Sequence, residues 1–507
     1  MATGEDARNE ATESDRALVR AIAPAFILFG LVVRIWMLRN PIGGLDADEA
    51  IVGLMARHIL DGEFPMFYWG QIHGGPHEPL LTAAFFQVLG SSTLVLKIVA
   101  VLLSAAACVL IWRIGKRTVG EPAATAAALL FWVWPAAFVW WSVKSRGFYH
   151  AALVIGLAIL LLVLRLDRRA TGRDMALLGA LVATGFWASP QTALLSAPAL
   201  LWLVVRRFSV LKIAPIGIAG AIAGAFPWWV HNLDNDWIAL KASPASLAMP
   251  AYRDHLYAFF DIGLPGSLGL MLADGSRWIA GNFGKVCYGL LLALFALALL
   301  KLRGRSTLLV LVAAAYPFLL ALSPFSWFMA HPRYLYYLAP VVALLLARGL
   351  AALRWPALVA GLVAAMTLTT SAFATMHKEG AFYPGAEGVR IPQDLDPLFD
   401  YMTANGIEHV YADYWLAYVV GFESAERIIA TPYKGAIRNG AADAAVRSVP
   451  DPAYLFLEGS RTEPVFRQEI EAMGVAHARH EEHGFVIYAL MQNVPPEALP
   501  GTQSTQP

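Results

Sequence analysis

Long apolar runs recur through the first 376 residues and constrain the fold more than any other feature of the sequence. A hydrophobic run of roughly 17 to 25 residues can cross a lipid bilayer as a helix. Of the 507 residues, 58% are apolar, which is typical of a membrane protein with several spans. We therefore predict eleven transmembrane helices, near residues 18–38, 94–112, 121–142, 147–164, 174–188, 191–205, 213–231, 284–300, 307–324, 334–348 and 355–376.

Clusters of lysine and arginine test this assignment independently, because they fall at alternate junctions between the predicted spans. The clusters are Arg113-Lys116-Arg117, Arg165-Arg168-Arg169-Arg173, Arg206-Arg207-Lys212, Lys301-Arg303-Arg305 and Arg348-Arg354. Basic residues beside membrane spans are enriched on the cytoplasmic side. All five clusters fall on one side, which predicts a cytoplasmic amino terminus and, for an odd number of spans, a carboxyl terminus outside the cytoplasm.

The apolar runs and the loops between them define the domain organisation. The polar start has no basic region or cleavage site typical of a secretory signal, so residues 1–17 are predicted to be a disordered cytoplasmic tail. Residues 18–376 form the transmembrane domain, with outer loops at 39–93 and 231–283. The aromatic residues of the second loop fit either membrane-interface anchors or a lid over a ligand. Segment 174–205, interrupted by Ser-Pro-Gln, is either two spans or one broken unit.

After residue 376 the composition changes to that of a soluble domain. The stretch "LDPLFDYMTANGI" predicts a helix leading into "HVYAD", "AYLFLEG" and "GFVIYALM" predict strands, and "EPVFRQEIEAMG" predicts an amphipathic helix. The fold class is thus an α-helical polytopic membrane protein with a soluble α/β domain at residues 377–492 and a disordered tail at 493–507. This domain either binds an acceptor glycan or packs on the loops that form the active site.

Three carboxylates, Asp46, Asp48 and Glu49, lie within four positions of the first outer loop. The stretch "ADEAIVGLMARHILDG" has the apolar spacing of a helix that lies along the membrane surface. One interpretation is structural, with Asp46 or Asp48 capping the helix and Glu49 favouring its positive end. The other is catalytic, because a carboxylate at the bilayer surface can take a proton from an acceptor hydroxyl. The two interpretations are compatible.

The stretch "QIHGGPHEPLL" in the same loop supplies candidate substrate-binding residues. His73, His77 and Glu78 surround a Gly-Gly-Pro turn, where glycine permits close approach of the backbone to a ligand. We group Asp46 with them. The Asp-x-Asp spacing of Asp46 and Asp48, with the two histidines, also allows a divalent cation such as Mg or Mn. Polar loop structure is the alternative explanation of the histidine pair.

Basic residues are scarce on the outer side, and four groups stand out there. Lys144 and Arg146 lie at the outer end of one predicted helix, and His331 and Arg333 lie at the outer end of another. Taken singly, such residues commonly extend toward the membrane interface. Converging from separate helices, they suit an anionic headgroup, since guanidinium matches phosphate geometry.

The order of four motifs resembles a known family. "DADEA" follows the first span, then come "HEPLL", "SRGFY" and finally "HPRYLYYLAP" before a late span. This order is similar to the GT-C superfamily of glycosyltransferases, and more closely to its bacterial branch related to protein O-mannosyltransferases and lipid A aminoarabinose transferases. The resemblance covers roughly residues 20–375. It implies an integral membrane transferase that uses a polyprenyl-phosphate sugar and works on the non-cytoplasmic face.

The resemblance also implies roles for individual residues. Asp48, or its neighbour Glu49, matches the acidic pair that supplies the acceptor-activating residue. Arg146 matches a basic position after the third helix, and Arg333 matches the late Arg-Tyr motif near the donor phosphate. Where aminoarabinose transferases typically have Lys-Pro-Pro-Leu, this chain has the sequence His-Glu-Pro-Leu from His77. A lysine contact to the donor phosphate is therefore missing, which indicates a different donor or another phosphate ligand.

The predicted function is transfer of a sugar from a polyprenyl-phosphate donor to a hydroxyl of a cell-envelope glycan, lipid or protein at the bacterial inner (plasma) membrane. A lipid-linked-glycan flippase or transporter, or a glycan polymerase or ligase, is the alternative. A transporter usually carries ionisable residues near the bilayer midplane and repeated halves, whereas here the charges crowd one surface. No Gly-x-Gly-x-x-Gly motif or phosphate-binding loop occurs in the sequence, which argues against a nucleotide-sugar enzyme. No nucleic-acid partner is expected.

The charge pattern predicts that the carboxyl-terminal domain is outside the cytoplasm. Asp400→Cys in that domain should react with a membrane-impermeant maleimide added to intact cells. The same reagent should miss a cysteine placed in a predicted cytoplasmic cluster, such as Arg169→Cys. Labelling at position 400 only after the membrane is opened would reverse the predicted active face.

Overall fold

The computed structural model describes residues 4–241, 249–271, 278, 281–301, 303–322, 332–353, 355–380 and 383–504. The chain forms two compact units. The helical unit comprises Met1–Ile35, Val101–Ser142 and Tyr149–Met376. The sheet unit comprises Trp36–Ala100, Val143–Phe148 and His377–Pro507. The first outer loop, the segment with Lys144 and Arg146, and the carboxyl-terminal domain thus belong to one unit.

The helices are α1 (Gly4–Leu38), α2 (Ala47–Leu60), α3 (His77–Leu89), α4 (Thr93–Thr118), α5 (Glu121–Val133), α6 (Ala136–Trp141), α7 (Tyr149–Arg168), α8 (Gly172–Ala188), α9 (Ala193–Arg206), α10 (Ala214–Gly224), α11 (Phe226–Asp234), α12 (Met249–Ala258), α13 (Leu264–Ser267), α14 (Gly281–Lys301), α15 (Thr307–Ala321), α16 (Ala339–Ala352), α17 (Trp355–Glu379), α18 (Asp396–Ala404), α19 (Tyr414–Glu423), α20 (Gly440–Ser448), α21 (Thr462–Ala472) and α22 (Pro500–Ser504). The strands are β1 (Gly385–Ala386), β2 (Val389–Arg390), β3 (His409–Ala412), β4 (Ile429–Pro432), β5 (Ala453–Leu457), β6 (His477–Glu482) and β7 (Phe485–Leu490).

Each of the eleven predicted spans contains a helix, but the helices differ in length. Among the described residues, six are long and apolar enough to cross a membrane, or seven if one bent pair counts as a single span. The shorter apolar helices include α5, with 13 residues, and α16, with 14. A helix of that length covers only about 20 Å, less than a hydrocarbon core of about 30 Å. The number eleven therefore stays a prediction.

The sharp bend lies one helix later than the break that the sequence analysis considered. Helices α8 and α9 are separate, with a short turn at Pro190–Thr192 between them. The bend of 112° instead separates Pro190–Arg206 from Phe208–Gly224.

The bend lies beside an ion cluster centred on Asp167. Its two carboxylate oxygens accept from Arg206 Nε at 3.0 Å and from Arg305 Nε at 2.8 Å, and its carbonyl oxygen accepts from Arg207 Nη1 at 2.9 Å. Three of the five basic clusters therefore meet at one end of the helical unit.

The carboxyl-terminal part of the sheet unit contains a five-stranded mixed sheet in the order β4-β3-β5-β7-β6. Strands β4, β3 and β5 are parallel, and β7 pairs antiparallel with both β5 and β6. Tyr411, Tyr454, Phe456, Phe466 and Tyr488 form much of its buried core. The predicted strands in "AYLFLEG" and "GFVIYALM" and the two predicted helices are present, whereas β4, β6, α19 and α20 had no sequence prediction.

Two segments predicted as disordered have regular structure where they are described. Helix α1 begins at Gly4, because the polar start is rich in alanine and glutamate, which favour helix. Near the other end of the chain, Val494 and Leu499 are buried in the core of the sheet domain. Glu469 accepts from the backbone nitrogens of Gly501 at 2.6 Å and Thr502 at 2.8 Å, and so holds α22 on α21.

Helix α19 of the carboxyl-terminal domain packs on α2 of the first outer loop. A Cβ at Gly53 would lie 2.3 Å from the ring of Phe422, so only glycine allows this approach. Arg57 Nη1 donates to the Phe422 carbonyl at 2.7 Å, and both ring nitrogens of His58 are 2.9 Å from carboxylates, one of them from Glu426. The hydrogen bond to Glu426 raises the pKa of His58 to about 9, so this contact is charged at neutral pH. Of the two roles considered for this domain, packing on the first loop is observed.

Candidate active site

Asp46 caps the helix that begins the acidic stretch. Its backbone is extended, and its carboxylate accepts from the backbone nitrogen of Glu49 at 3.3 Å. Helix α2 then starts at Ala47, with Asp48 and Glu49 in its first turn, where the helix dipole favours negative charge. The two side chains point in different directions from adjacent positions, and their surroundings differ completely.

Glu49 is fully buried between two lysines. Lys97 Nζ lies 2.8 and 2.9 Å from its two oxygens, and Lys144 Nζ lies 2.8 Å from Oε2. The backbone nitrogen of Ser145 donates to Oε1 at 3.2 Å. Buried charges are tolerated when they are paired and hydrogen-bonded in this way. Both carboxylate oxygens of Glu49 are therefore occupied by the protein itself.

The segment between α6 and α7 supplies the cations on the other side of this cluster. Lys144 is completely buried and donates to the carbonyl of Gly44, to Asp46 at 3.2 Å and to Glu49. Arg146 holds Asp46 through two nitrogens, at 2.9 and 3.1 Å. Burial alone would raise the pKa of Asp46, but Arg146, Lys144 and Lys97 outweigh it and hold that pKa well below its usual range. Burial would lower the pKa of Arg146, but the neighbouring carboxylates raise it.

Asp48 is the accessible carboxylate of the group. Its side chain is 28% exposed, against 0% for Glu49, and its nearest cation is Arg146 Nη1 at 3.4 Å. The hydroxyl of Tyr414 donates to Asp48 Oδ1 at 3.2 Å, and the hydroxyl of Tyr68 donates to the Asp48 carbonyl at 3.1 Å. Burial, together with the charge of Asp48, raises the pKa of Tyr414, so the phenol keeps its proton and acts as a donor.

Arg438 extends this polar surface. Its Nε donates to the hydroxyl of Tyr414 at 3.4 Å, and its guanidinium carbon lies about 6 Å from the rings of Tyr68 and Tyr414. Sequence reasoning missed Tyr68, Lys97, Tyr414 and Arg438. Lys97 interrupts an apolar run, which is a weak signal. Tyr414 lies 366 residues from Asp48, and no local pattern links the two.

The residues around the Gly-Gly-Pro turn are surrounded by other groups of the protein. Glu78 is buried, and its Oε1 accepts from the Ser145 hydroxyl at 2.6 Å and from the Arg146 backbone nitrogen at 3.1 Å. Burial lowers the pKa of His77 to about 4, and burial with the charge of Arg438 lowers that of His73. Both histidines are thus neutral near pH 7.

The turn needs glycine for packing. Gly74 has a φ of +80°, and a Cβ there would lie 2.4 Å from the ring of Phe148. The group that closely approaches Gly74 is thus the aromatic ring of Phe148, which belongs to the same unit.

Arg333 lies in the helical unit, in a turn of 3-10 helix at Pro332–Leu335. Its guanidinium carbon is 5.3 Å from the ring of Tyr334. The Tyr334 carbonyl accepts from the hydroxyl of buried Tyr316 at 2.6 Å, which fixes the turn before α16. His331 lies outside the described residues.

The possible metal site has no support in the geometry. Within the described part of the chain, no three His, Cys, Asp or Glu side chains come together in a group that suits a metal ion. Asp46 instead has cations as its neighbours.

Known proteins share this architecture. Residues 73–231 match the model of the family described as dolichyl-phosphate-mannose-protein mannosyltransferase. The chain is similar to the crystal structure of ArnT from Cupriavidus metallidurans in the apo state, with a TM-score of 0.62 and 11% identity over 96% of this chain and 99% of that one. The same protein bound to undecaprenyl phosphate gives a TM-score of 0.59 and 11% identity, with coverage of 95% and 99%.

A third similar structure is archaeal. The oligosaccharyltransferase AglB from Archaeoglobus fulgidus, in complex with an inhibitory peptide and a dolichol-phosphate, gives a TM-score of 0.50 and 13% identity, with coverage of 96% of this chain and 77% of that one. No curated protein matches the sequence. The family model and the shared fold agree with the order of motifs in the sequence.

Residues 73–231 thus resemble the mannosyltransferase family, and the chain shares its fold with ArnT. The resemblance to the branch with protein O-mannosyltransferases and lipid A aminoarabinose transferases is confirmed. The predicted fold class, a helical membrane protein with a carboxyl-terminal sheet domain, is confirmed as well. In this chain the acidic residues of the first outer loop form one connected cluster with Lys97, Lys144 and Arg146. The cluster runs from Lys97 through Glu49, Lys144, Asp46 and Arg146 to Asp48.

The cluster predicts that Glu49 supports folding. Glu49→Gln leaves two buried ammonium groups with one fewer carboxylate, and breaking a buried pair of this kind costs about 3–5 kcal/mol. Thermal unfolding of the purified protein in detergent should show a large drop in the melting temperature. Asp48→Asn is the matched control, because its carboxylate is partly exposed, and should melt close to the wild type. Equal melting temperatures for the two variants would contradict the assignment.

Proposed function

We propose that this protein is a glycosyltransferase that moves a sugar from a polyprenyl-phosphate donor to a hydroxyl of a cell-envelope glycan, lipid or protein. We place the reaction on the extracytoplasmic face of the plasma membrane. One observation carries the proposal. In a GT-C fold, Asp48 is an accessible carboxylate held beside Arg146 in an otherwise buried charge cluster. The bound undecaprenyl phosphate of the ArnT structure supports a lipid-phosphate donor.

Asp48 is the proposed general base. The acceptor oxygen attacks the anomeric carbon, the bond between that carbon and the phosphate oxygen breaks, and polyprenyl phosphate leaves. The proton of the acceptor hydroxyl passes to Asp48. Tyr414 and Arg146 hold the two oxygens of Asp48 at 3.2 and 3.4 Å, which orients the carboxylate while leaving it partly exposed. Glu49, the other candidate, has both oxygens occupied by lysines.

The positive charges divide into two groups in this proposal. Arg333 binds the donor phosphate, and Arg146 contributes charge from beside Asp48, because guanidinium suits phosphate oxygens. Lys144 is assigned a structural role instead of the phosphate contact expected from the sequence. Its ammonium is completely buried and already has three protein acceptors.

The helical unit contains an apolar cavity that fits the lipid part of the donor. It has a volume of about 310 Å³, and its lining includes Phe259, Leu264, Phe295, Pro317 and Leu346. An isoprenoid chain carries no polar groups, so an apolar wall is the environment it requires. We propose this cavity as part of the isoprenoid site.

We base the proposed sidedness of the reaction on the distribution of charge. The meeting of three basic clusters at Asp167 supports placing them on one side of the membrane. The first outer loop then lies on the opposite, extracytoplasmic side by the positive-inside rule. The loop with His73, His77 and Glu78 is retained as a candidate substrate-binding segment.

The central test is Asp48→Asn, which keeps the shape of the side chain and removes the base. The rate of sugar transfer under single-turnover conditions should fall roughly a hundredfold or more, the usual size of a general-base contribution. Donor binding should be retained, because Asp48 does not contact the phosphate in this proposal.

Asp61→Asn is the matched control, since it changes an aspartate at the other end of the same helix. It should transfer at the normal rate. Normal transfer by Asp48→Asn would leave Asp48 with a structural role only.

A further inference from the structure

The sheet unit contains a cavity whose lining does not include Asp48, Tyr68 or Tyr414. Its volume is about 370 Å³, within the range of about 300–1,000 Å³ typical of small-molecule sites. It lies between the chain leading into α2, the start of α4, the end of α19 and the β1-β2 hairpin. Its polar lining consists chiefly of Asn40, Thr93, Lys97, Tyr383, Arg390 and Glu423.

The walls of the cavity combine the groups that recognise sugars. Tyr383 presents an aromatic ring, with the guanidinium carbon of Arg390 at 4.4 Å from its centre. Asn40 and Glu423, which also line the cavity, supply an amide and a carboxylate suited to sugar hydroxyls. Thr93 donates a hydrogen bond to Glu423, which fixes that carboxylate.

Arg390 is the group of this cavity that can bind an anionic ligand, although the carboxylate of Glu423 also lines it. Lys97 is neutralised by Glu49 on its far side. Within the part of the chain that the structure describes, Arg390 makes no ion pair, and its side chain is exposed at the cavity. Arg390 therefore offers a forked donor for a carboxylate or a phosphate.

The hairpin that carries Arg390 is held in place by the contacts of Glu387. Glu387, at the tip between β1 and β2, accepts from Lys434 Nζ at 2.5 Å and from the Thr462 backbone nitrogen at 2.9 Å. Its φ of +55° is rare for a residue other than glycine, and the buried ion pair with Lys434 maintains it. The cavity wall is thus pre-organised, which lowers the cost of ordering it on binding.

We propose that this cavity binds a saccharide unit bearing a carboxylate or a phosphate, as part of the acceptor. Arg390 holds the anionic group, Tyr383 packs on the sugar ring, and Glu423 and Asn40 bind its hydroxyls. The identification of the ligand as the acceptor rests on the proposed transferase function. Binding itself needs neither donor nor catalysis. The cavity is joined to Asp48 through the charge cluster that begins at Lys97.

The test is ligand-observed NMR on the full-length protein in nanodiscs, without donor. D-glucuronate and glucose 1-phosphate should bind, and neutral glucose should bind at least tenfold more weakly. Arg390→Gln should weaken binding of both anionic sugars about ten- to hundredfold, the size expected for a charge-assisted hydrogen bond. Arg390→Lys should restore part of the affinity. Arg467→Gln, an exposed arginine on α21 that does not line the cavity, is the matched control and should bind normally.

Normal binding by Arg390→Gln, or equal affinity for glucose and glucuronate, would overturn the proposal. So would inorganic phosphate binding as tightly as glucose 1-phosphate, since the cavity would then recognise only the anion. Asp48→Asn separates this inference from the proposed function, because it should bind both anionic sugars normally. If Asp48→Asn also transfers sugar normally, the catalytic proposal fails while the saccharide site stands.

Discussion

The ion pairs of Glu49 with Lys97 and Lys144 are the contacts on which the rest of the sheet unit depends. Three buried charges from distant parts of the sequence are tolerable only because each has close partners of opposite sign. Their geometry fixes where α2 begins relative to the start of α4 and to the segment before α7. Asp46 then serves both as the cap of α2 and as the partner of Lys144 and Arg146.

This arrangement places two adjacent acidic residues in different surroundings. Glu49 is enclosed, so its charge stabilises the structure and is unavailable to a substrate. Asp48 faces the other way and meets only Arg146 and the hydroxyl of Tyr414 through its carboxylate. The proposed base needs both an oriented carboxylate and access for the acceptor, and of this adjacent pair Asp48 combines the two. The carboxyl-terminal domain contacts Asp48 directly, since Tyr414 belongs to α19.

Much of the fold could be predicted from the sequence, because apolar length and alternating basic clusters are local signals. The positions of the helices and the cap at Asp46 are examples. The site was less predictable. Lys97 lies within an apolar run, and its role as an ion-pair partner of Glu49 is visible only in the folded structure. Tyr414 comes near Asp48 through the packing of α19 on α2, a contact set by tertiary structure rather than by any motif. The burial of Lys144 could not be predicted either, because its partners Gly44, Asp46 and Glu49 lie far from it in the sequence.

A buried charge cluster, an accessible carboxylate and a fold shared with ArnT support the proposed reaction. In that reaction a sugar leaves a lipid phosphate and reaches a hydroxyl acceptor. The most direct measurement incubates the purified protein in nanodiscs with polyprenyl-phosphate sugars labelled in the sugar, together with an extract of envelope glycans and lipids. The account predicts loss of label from the lipid, appearance of label in the extract and release of equimolar polyprenyl phosphate. Lipid-linked sugar that stays intact with every donor, or that only crosses the bilayer unchanged in sealed vesicles, would contradict it.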